Sequence, residues 1–442
     1  MSSTARQPLS DPDESEPPGT VPDPFPFDAV IFDLDGTLVA TERFWVAAAN
    51  VGARRAFAEL GLERELPSPV EWLSMVGLEI GAAFDAVFAD LPPEHRALVM
   101  ARCVEEETLA LRAGGAALLP GAREALSELS SLGVKLGIAS NCGQSYLQHM
   151  LTALPLGEWI DAPRCLGSAG VHCKADMIGD LLSTFGTRSA VMVGDRYTDA
   201  EAAHAHGVPH VHLVQGLAPK GERIEAEARL SSLLELLPRL RQRTLWIESA
   251  LTRLSLLRGG ACVRGGPSTL GITGPIASGK SLFARDAARL LRARGRGCVV
   301  VSLGDYSHPD VAVAPERESP LEHVARRFNV ERLIEELLEP HRAGRPVRGP
   351  TGEPIAPGDL LILEGEFLLH PRLRLGLDRV LQLQVDETLA LNRVAARDGQ
   401  EALVELRRRG LPLQREFQLA FPPDTRADLC LEAGNPLGPE GL

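Results

Sequence analysis

Several apolar runs in this chain end in side chains suited to phosphate or to a hard cation. Ile31-Phe32-Asp33-Leu34-Asp35-Gly36-Thr37 sets two carboxylates one residue apart, and in a strand alternate side chains share a face. Such a pair suits attack on phosphorus. Asp33 would be the nucleophile that forms an aspartyl-phosphate, while Asp35 protonates the leaving oxygen and then activates water. Leu136 to Asn141 is a second run, ending in the hydroxyl of Ser140, which can bind a transferring phosphoryl group. Lys174 offers that group a cation, and Ala190 to Asp195, followed by Thr198-Asp199, adds acids for a Mg²⁺ site.

A second centre lies in the other half. Gly274-Pro275-Ile276-Ala277-Ser278-Gly279-Lys280-Ser281 fits Gly-x-x-x-x-Gly-Lys-Ser, between a strand-like Leu270 to Thr273 and a helical stretch from Leu282 to Leu291. Gly274, Ser278, Gly279 and Leu282 would supply backbone around phosphate at a helix N-terminus; Lys280 would reach the β and γ phosphates, and Ser281 would hold Mg²⁺. Lysine usage supports both centres. The chain has 46 basic residues and only four are lysine (135, 174, 220 and 280). Two of those four fall at phosphate-binding positions, where a compact ammonium differs from a planar guanidinium.

Stepping from these residues to what must carry them, the chain reads as two Rossmann-like parallel-sheet α/β domains, because strand-like runs alternate with helical ones and each run ends in chemistry. Residues 1–27, rich in Pro, Ser, Asp and Glu, read as a disordered tail rather than a signal peptide. Residues 28–237 form the first domain. Within it, about 41–115 shows helical spacing in Phe44 to Leu60 and Ala82 to Leu111, punctuated by Pro67, Pro69, Pro92 and Pro93. Trp45, Trp72 and Phe84 read as the core of this helical insertion. His204, His206, His210 and His212 read as surface or packing residues rather than a metal cluster. Residues 238–267 read as a helical connector, and 268–442 as the second domain.

The four motifs of the first half resemble, in order and spacing, those of the haloacid dehalogenase superfamily of phosphotransferases, over roughly residues 28–237. The resemblance implies that Asp33, Asp35 (through its backbone carbonyl) and Asp195 hold Mg²⁺ with support from Asp199. It implies that Ser140 and Lys174 bind phosphate, and that a helical cap covers the site. The second acid, Asp35, points to a phosphatase rather than a dehalogenase. Two positions depart from relatives of the phosphoglycolate phosphatase and phosphoglucomutase type: Ala40 where Asp is frequent, and no Pro after Lys174. From about 268 to 430 the chain resembles the uridine kinase, pantothenate kinase and phosphoribulokinase group of P-loop kinases, which use ATP. That resemblance implies Asp305 as base, Glu364 as the acid near the metal, and Arg393 with Arg397-Asp398 as an arginine-bearing lid. Asp305 reads equally as an N-cap or loop aspartate, and the arginines as a solvated helix face. Val347 to Glu353 lacks the aromatic-acid pair of nucleoside-specific members, which argues against uridine as acceptor.

Composition narrows the partners. Net charge is −13, of which the tail supplies −4, so the folded part carries −9 and nucleic acid is a poor electrostatic match. No apolar run reaches the roughly 18 residues of a membrane span. Seven scattered cysteines with no Cys-x-x-Cys pair fit a reducing cytoplasm. The expectation is a cytoplasmic bifunctional enzyme. It would pair a Mg²⁺-dependent phosphatase with an ATP-dependent kinase for a small sugar, cyclitol or nucleoside-type metabolite, with a homodimer allowed for. The rivals are a polynucleotide kinase-phosphatase and a nucleotide-sensing regulatory protein.

Overall fold

A computed structural model describes residues 23–439 apart from 264, 267 and 310–317. Residues 1–22 of the expected tail lie outside that description. Six strands form the first sheet: β1 (Ala29–Phe32), β2 (Lys135–Ser140), β3 (Ala162–Cys165), β4 (Ala190–Gly194), β5 (His210–Leu213) and β6 (Ala228–Leu230). All pair in parallel, in the order β3-β2-β1-β4-β5-β6. The four residues of β1 are all buried, as expected of a strand covered on both faces. Chain direction across the sheet reverses at β1, which pairs with β2 on one side and β4 on the other. The carboxyl ends of these three strands therefore open the crevice where α/β sheets bind ligands.

Between β1 and β2 comes the helical insertion, with helices Trp45–Leu60, Pro69–Ser74, Ile80–Val87 and Pro93–Arg112. The two long helices pack so closely that a Cβ on Gly52 would stand 2.5 Å from the Cys103 Cα. Trp72, Phe84 and Phe88 fill the middle of the insertion, all essentially inaccessible. Trp45 meets Trp72 edge-on at 6.1 Å, and each indole N–H finds a partner, in the Trp72 carbonyl and the Asn50 side chain.

A hairpin of β7 (Leu257–Arg258) and β8 (Ala261–Cys262) precedes the second sheet, built from β9 (Thr269–Thr273), β10 (Cys298–Ser302), β13 (Leu360–Glu364), β14 (Arg379–Gln384) and β15 (Leu429–Glu432). Its order is β10-β13-β9-β14-β15, again wholly parallel, with the short pair β11 (Val347–Arg348) and β12 (Pro354–Ile355) outside it. Gly274 to Ser281 leaves the carboxyl end of the central strand.

One boundary expectation needs correction. Residues 24–27 are not tail, because Phe25 and Phe27 are 6% and 2% exposed and belong to the first core. An apolar pair so placed before β1 anchors the chain rather than leaving it loose. The expected connector, 238–267, begins within helix Leu236–Arg253 and packs into both cores. Helix Leu236–Arg253 puts Leu236, Leu237 and Leu240 into the first core, and Trp246, Ile247, Ala250 and Leu251 into the second. The chain end crosses the same boundary: Leu437, beyond the last strand, is fully buried in the first core. Arg239 donates to the carbonyls of Leu437 and Gly438, and Arg243 pairs with Asp286 and donates to the Pro436 carbonyl. Arg289 reaches Asp28 at 2.6 Å from helix Lys280–Ala293, which follows the glycine-rich loop.

Candidate active site

The acids predicted at strand ends converge. Asp33 follows β1 and its amide donates to the Val193 carbonyl of β4, at 2.9 Å. Asp195 follows β4, and Asp199 lies in the first turn of helix Tyr197–His204. All three are fully buried, and their carboxylate oxygens come within 4.8 Å of one another. Lys174 opens helix Lys174–Phe185, and its Nζ donates to Asp33 Oδ1 at 2.9 Å and to Asp199 Oδ1 at 2.6 Å. Burial alone would strip the proton from this ammonium, but Asp199 and Asp33 hold it well above the usual lysine range. Burial pushes the Asp33 carboxyl up to about 7 against the pull of Lys174, and it raises Asp195 too.

Backbone shape holds these groups close. Gly36 sits at φ +77°, and a Cβ there would stand 2.6 Å from Asp195 Oδ2. Thr37 donates to Asp195 Oδ1 at 3.3 Å, and the Leu217 amide to its Oδ2 at 2.5 Å. Ser140, 2% exposed, ends β2 beside them.

Asp35 is not one of the three clustered acids and lines the cavity beneath the insertion. Its Oδ1 accepts from Thr41 at 2.6 Å and Tyr146 at 2.5 Å. Burial raises its pKa, and the two hydroxyl bonds oppose that. Asp35, Ser140 and Tyr146 line one wall of a cavity of about 100 Å³, with Trp45, Ile80 and Phe84 of the insertion opposite. Glu107, from helix Pro93–Arg112, also lines it, and its carboxyl is pushed up to about 8 by burial with Asp35 adding to the effect. The insertion is docked by Arg196, which pairs with Glu222 and donates to the Ser74 and Val76 carbonyls, and by Asn141 donating to the Gly77 carbonyl at 2.9 Å.

The residues fit a divalent cation. Three buried carboxylates face one ammonium, leaving two negative charges uncompensated, and Asp33 Oδ2 is buried with no hydrogen-bond partner. Oxygen-only donors at this density suit Mg²⁺.

The haloacid dehalogenase-like hydrolase family matches residues 30–213. An uncharacterized protein of Lacticaseibacillus casei, from the fgs 3′ region, is 31% identical over 212 residues, covering 47% of this chain and 94% of that protein. The chain belongs to the haloacid dehalogenase-like hydrolase family. A phosphoglycolate phosphatase of Caulobacter vibrioides is 31% identical over 222 residues, covering 47% of this chain and 87% of its own length. Among solved structures, the haloacid dehalogenase-like protein SP0104 of Streptococcus pneumoniae aligns at 22% identity and a TM-score of 0.42, covering 48% of this chain and 98% of its own. The family match thus belongs to the first sheet and its insertion.

The second centre is less complete. Gly274 has φ +154°, and a Cβ there would lie 2.3 Å from the Leu383 carbonyl oxygen; Gly279 is left-handed at φ +83° and caps helix Lys280–Ala293. Ser278 Oγ is buried without a partner. Ser281 and Leu282 follow Lys280 in the first turn of that helix. Lys280 folds back on the loop, donating to the Pro275 carbonyl at 2.7 Å, and burial lowers its pKa. Glu364 ends β13, in register with Ile272 of β9, which places it next to the loop. Glu366, two residues on, is the strongest acidic influence on Lys280.

The expected lid divides. Arg393 donates to the Ala277 carbonyl of the loop at 3.0 Å and to Gly434 at 2.6 Å, whereas Arg397 is spent on its neighbour Asp398. Asp305 is exposed, and its Oδ2 accepts from the Ser302 amide in a capping box, the N-cap role that its sequence setting also allowed. Among the described residues, the acids that could jointly hold a metal are Asp33, Asp195 and Asp199, and none of the four histidines joins them. His204 bonds to Glu227, and His210 is buried in β5.

Thr41, Tyr146, Arg196 and Glu107 were not singled out from the sequence. Tyr146 carried a faint signal, being one of only three tyrosines and six residues after Ser140.

Proposed function

We propose that the first unit is a Mg²⁺-dependent phosphomonoesterase for a small metabolite. The observation that carries this reading is the Lys174 ammonium joined to both Asp33 and Asp199, with Asp195 completing a buried carboxylate triad. Asp33, Asp195 and Asp199 would hold the cation, which when bound would offset their charge and that of the phosphate. Lys174 orients Asp33 through Oδ1, so the carboxylate attacks phosphorus with a fixed geometry. The P–O bond to the alcohol breaks, and Asp35 gives the departing oxygen its proton. Thr41 and Tyr146 hold Asp35 by Oδ1, which leaves Oδ2 to carry that proton. The Asp35 carboxylate then takes a proton from water that attacks the aspartyl-phosphate, releasing phosphate and restoring Asp33. The docked insertion keeps bulk water from this exchange.

For the second unit the proposal is an ATP-dependent kinase acting on a small-molecule hydroxyl, which would make the chain bifunctional. Support comes from the phosphate loop at the end of the central strand, its two glycine conformations and the unpartnered Ser278 hydroxyl. Lys280 would exchange the Pro275 carbonyl for nucleotide phosphate, with Ser281 and Glu364 beside the metal. The exposed position of Asp305 favours a base that acts only once an acceptor is bound. Seven free thiols support a cytoplasmic enzyme, and no described helix is long and apolar enough to cross a membrane.

Mass spectrometry of a metabolite panel incubated with ATP and Mg²⁺ tests both halves. Asp33→Asn should abolish phosphate release while ATP-dependent phosphorylation persists, and Lys280→Met should do the reverse. Phosphate release surviving in Asp33→Asn would overturn the phosphatase assignment, and ATP turnover unchanged in Lys280→Met would overturn the kinase assignment.

A further inference from the structure

The cavity between the insertion and the first sheet has a chemical character that the family name does not convey. Its lining is apolar on the insertion side, where Trp45, Met75, Leu78, Ile80 and Phe84 face inward, and acidic at two points, Asp35 and Glu107. None of its lining residues is lysine, arginine or histidine. The nearby cations are engaged elsewhere: Lys174 bridges Asp33 and Asp199, and Arg196 is held by Glu222 and by backbone carbonyls of residues 74 and 76. Glu107 makes no hydrogen bond or ion pair among the described residues. Its carboxyl therefore stands unclaimed on the wall of a half-open, mainly apolar cavity, where a ligand's donor can reach it.

We propose that Glu107 sets the substrate class of this site: a phosphate ester of a compact alcohol bearing an apolar segment and either a free hydroxyl or an ammonium, and not a second anion. The inference rests on the phosphatase reading given above. An ester oriented with phosphorus at Asp33 and its leaving oxygen at Asp35 must extend its alcohol into this cavity. There Thr41 is already bonded to Asp35, and Glu107 is the acid that the insertion presents to the alcohol, accepting from O–H or N⁺–H. A carboxylate on the same alcohol would lose part of its hydration with no lysine, arginine or histidine in the cavity lining to replace it, so the site disfavours a second anion. The size agrees, since about 100 Å³ corresponds to roughly seven to ten water positions, enough for a short polyol or amino alcohol. The related proteins described as phosphoglycolate phosphatases are named for an ester that carries such a carboxylate; this chain should turn that ester over poorly.

Steady-state kinetics on four esters decide the matter: p-nitrophenyl phosphate, glycerol 3-phosphate, phosphoethanolamine and 2-phosphoglycolate, with wild type, Glu107→Gln and Glu107→Lys. In wild type, kcat/KM for glycerol 3-phosphate or phosphoethanolamine should exceed that for 2-phosphoglycolate by at least about tenfold. Glu107→Gln, nearly isosteric, should narrow that ratio mainly through KM for the preferred ester, and Glu107→Lys should reverse it. A wild-type preference for 2-phosphoglycolate, or a ratio identical in wild type and Glu107→Gln, overturns the proposal while leaving the phosphatase reading intact, provided p-nitrophenyl phosphate is hydrolysed and Asp33→Asn stops it. No turnover of any ester would overturn both.

Discussion

Leu437 offers the sharpest test of how this chain is held together. It lies five residues past the end of β15, yet its side chain is fully buried in the core of the first unit. Leu437→Ala removes that packing and leaves a cavity, which for buried leucines costs about 2–5 kcal/mol. Taking about 3 kcal/mol, and a urea slope of about 3 kcal/mol/M for a unit of this size, the midpoint should fall by about 1 M. The observable is favourable, because Trp45, Trp72 and Trp159 belong to the first core and only Trp246 to the second. Tryptophan emission in a urea titration therefore reports mainly on the first unit, and loss of phosphomonoesterase activity gives a second probe. Leu419→Ala is the control, since that side chain is 81% exposed and should shift the midpoint by less than about 0.5 kcal/mol equivalent. A Leu437→Ala midpoint within error of the control would refute the claim that the chain end stabilises the first unit.

Other outcomes follow from the same geometry. Lys174→Met removes the one cation among three buried acids, so kcat for ester hydrolysis should drop by roughly 10²–10³ and urea stability by about 3–5 kcal/mol; a variant stable as wild type would show that the acids do not depend on it. Gly52→Ala should loosen the packing of helices Trp45–Leu60 and Pro93–Arg112 and lower the thermal midpoint, because its Cβ has no room beside Cys103; an unchanged midpoint would count against that crossing. His212 is held down to about 4 by burial and by His210 and Arg229. Its folded pKa thus lies below the unfolded value, the unfolded chain takes up the proton first, and stability falls as pH drops from about 6.5 toward 4. His212→Gln should flatten that loss by on the order of 2 kcal/mol after allowing for partial hydration of the ring; parallel pH profiles of the two proteins would contradict the assignment.

What could be read in advance was local. Asp33, Ser140 and Asp195 each close an apolar run, so strand geometry alone brings them to one edge once the runs pair, and Lys174 and Asp199 open helices that follow. Glu107 and Tyr146 had no such signature, because each reaches the cavity from a helix whose packing is decided by residues far along the chain. The connector shows a different limit. Helix Leu236–Arg253 carries an apolar stripe with ordinary helical spacing, and nothing in that spacing says that its first turns serve one core and its later turns another. Phe25 and Phe27 were overshadowed by the prolines around them, since composition registers a segment's average and not the two rings that bury. Asp305 lay open between two readings, and its capping box is a contact among neighbours three residues apart.

The helix that serves both cores also bears on the life of the protein in a cell. Quality control acts on whatever portion of a chain opens, and a portion can be cleared alone only if the remainder survives its loss. Here opening the second sheet would free the segment that carries Leu437 and strip helix Leu236–Arg253 of its packing in the second core. Degradation would then take both sheets at once, which fixes their copy numbers at one to one for as long as any molecule lasts.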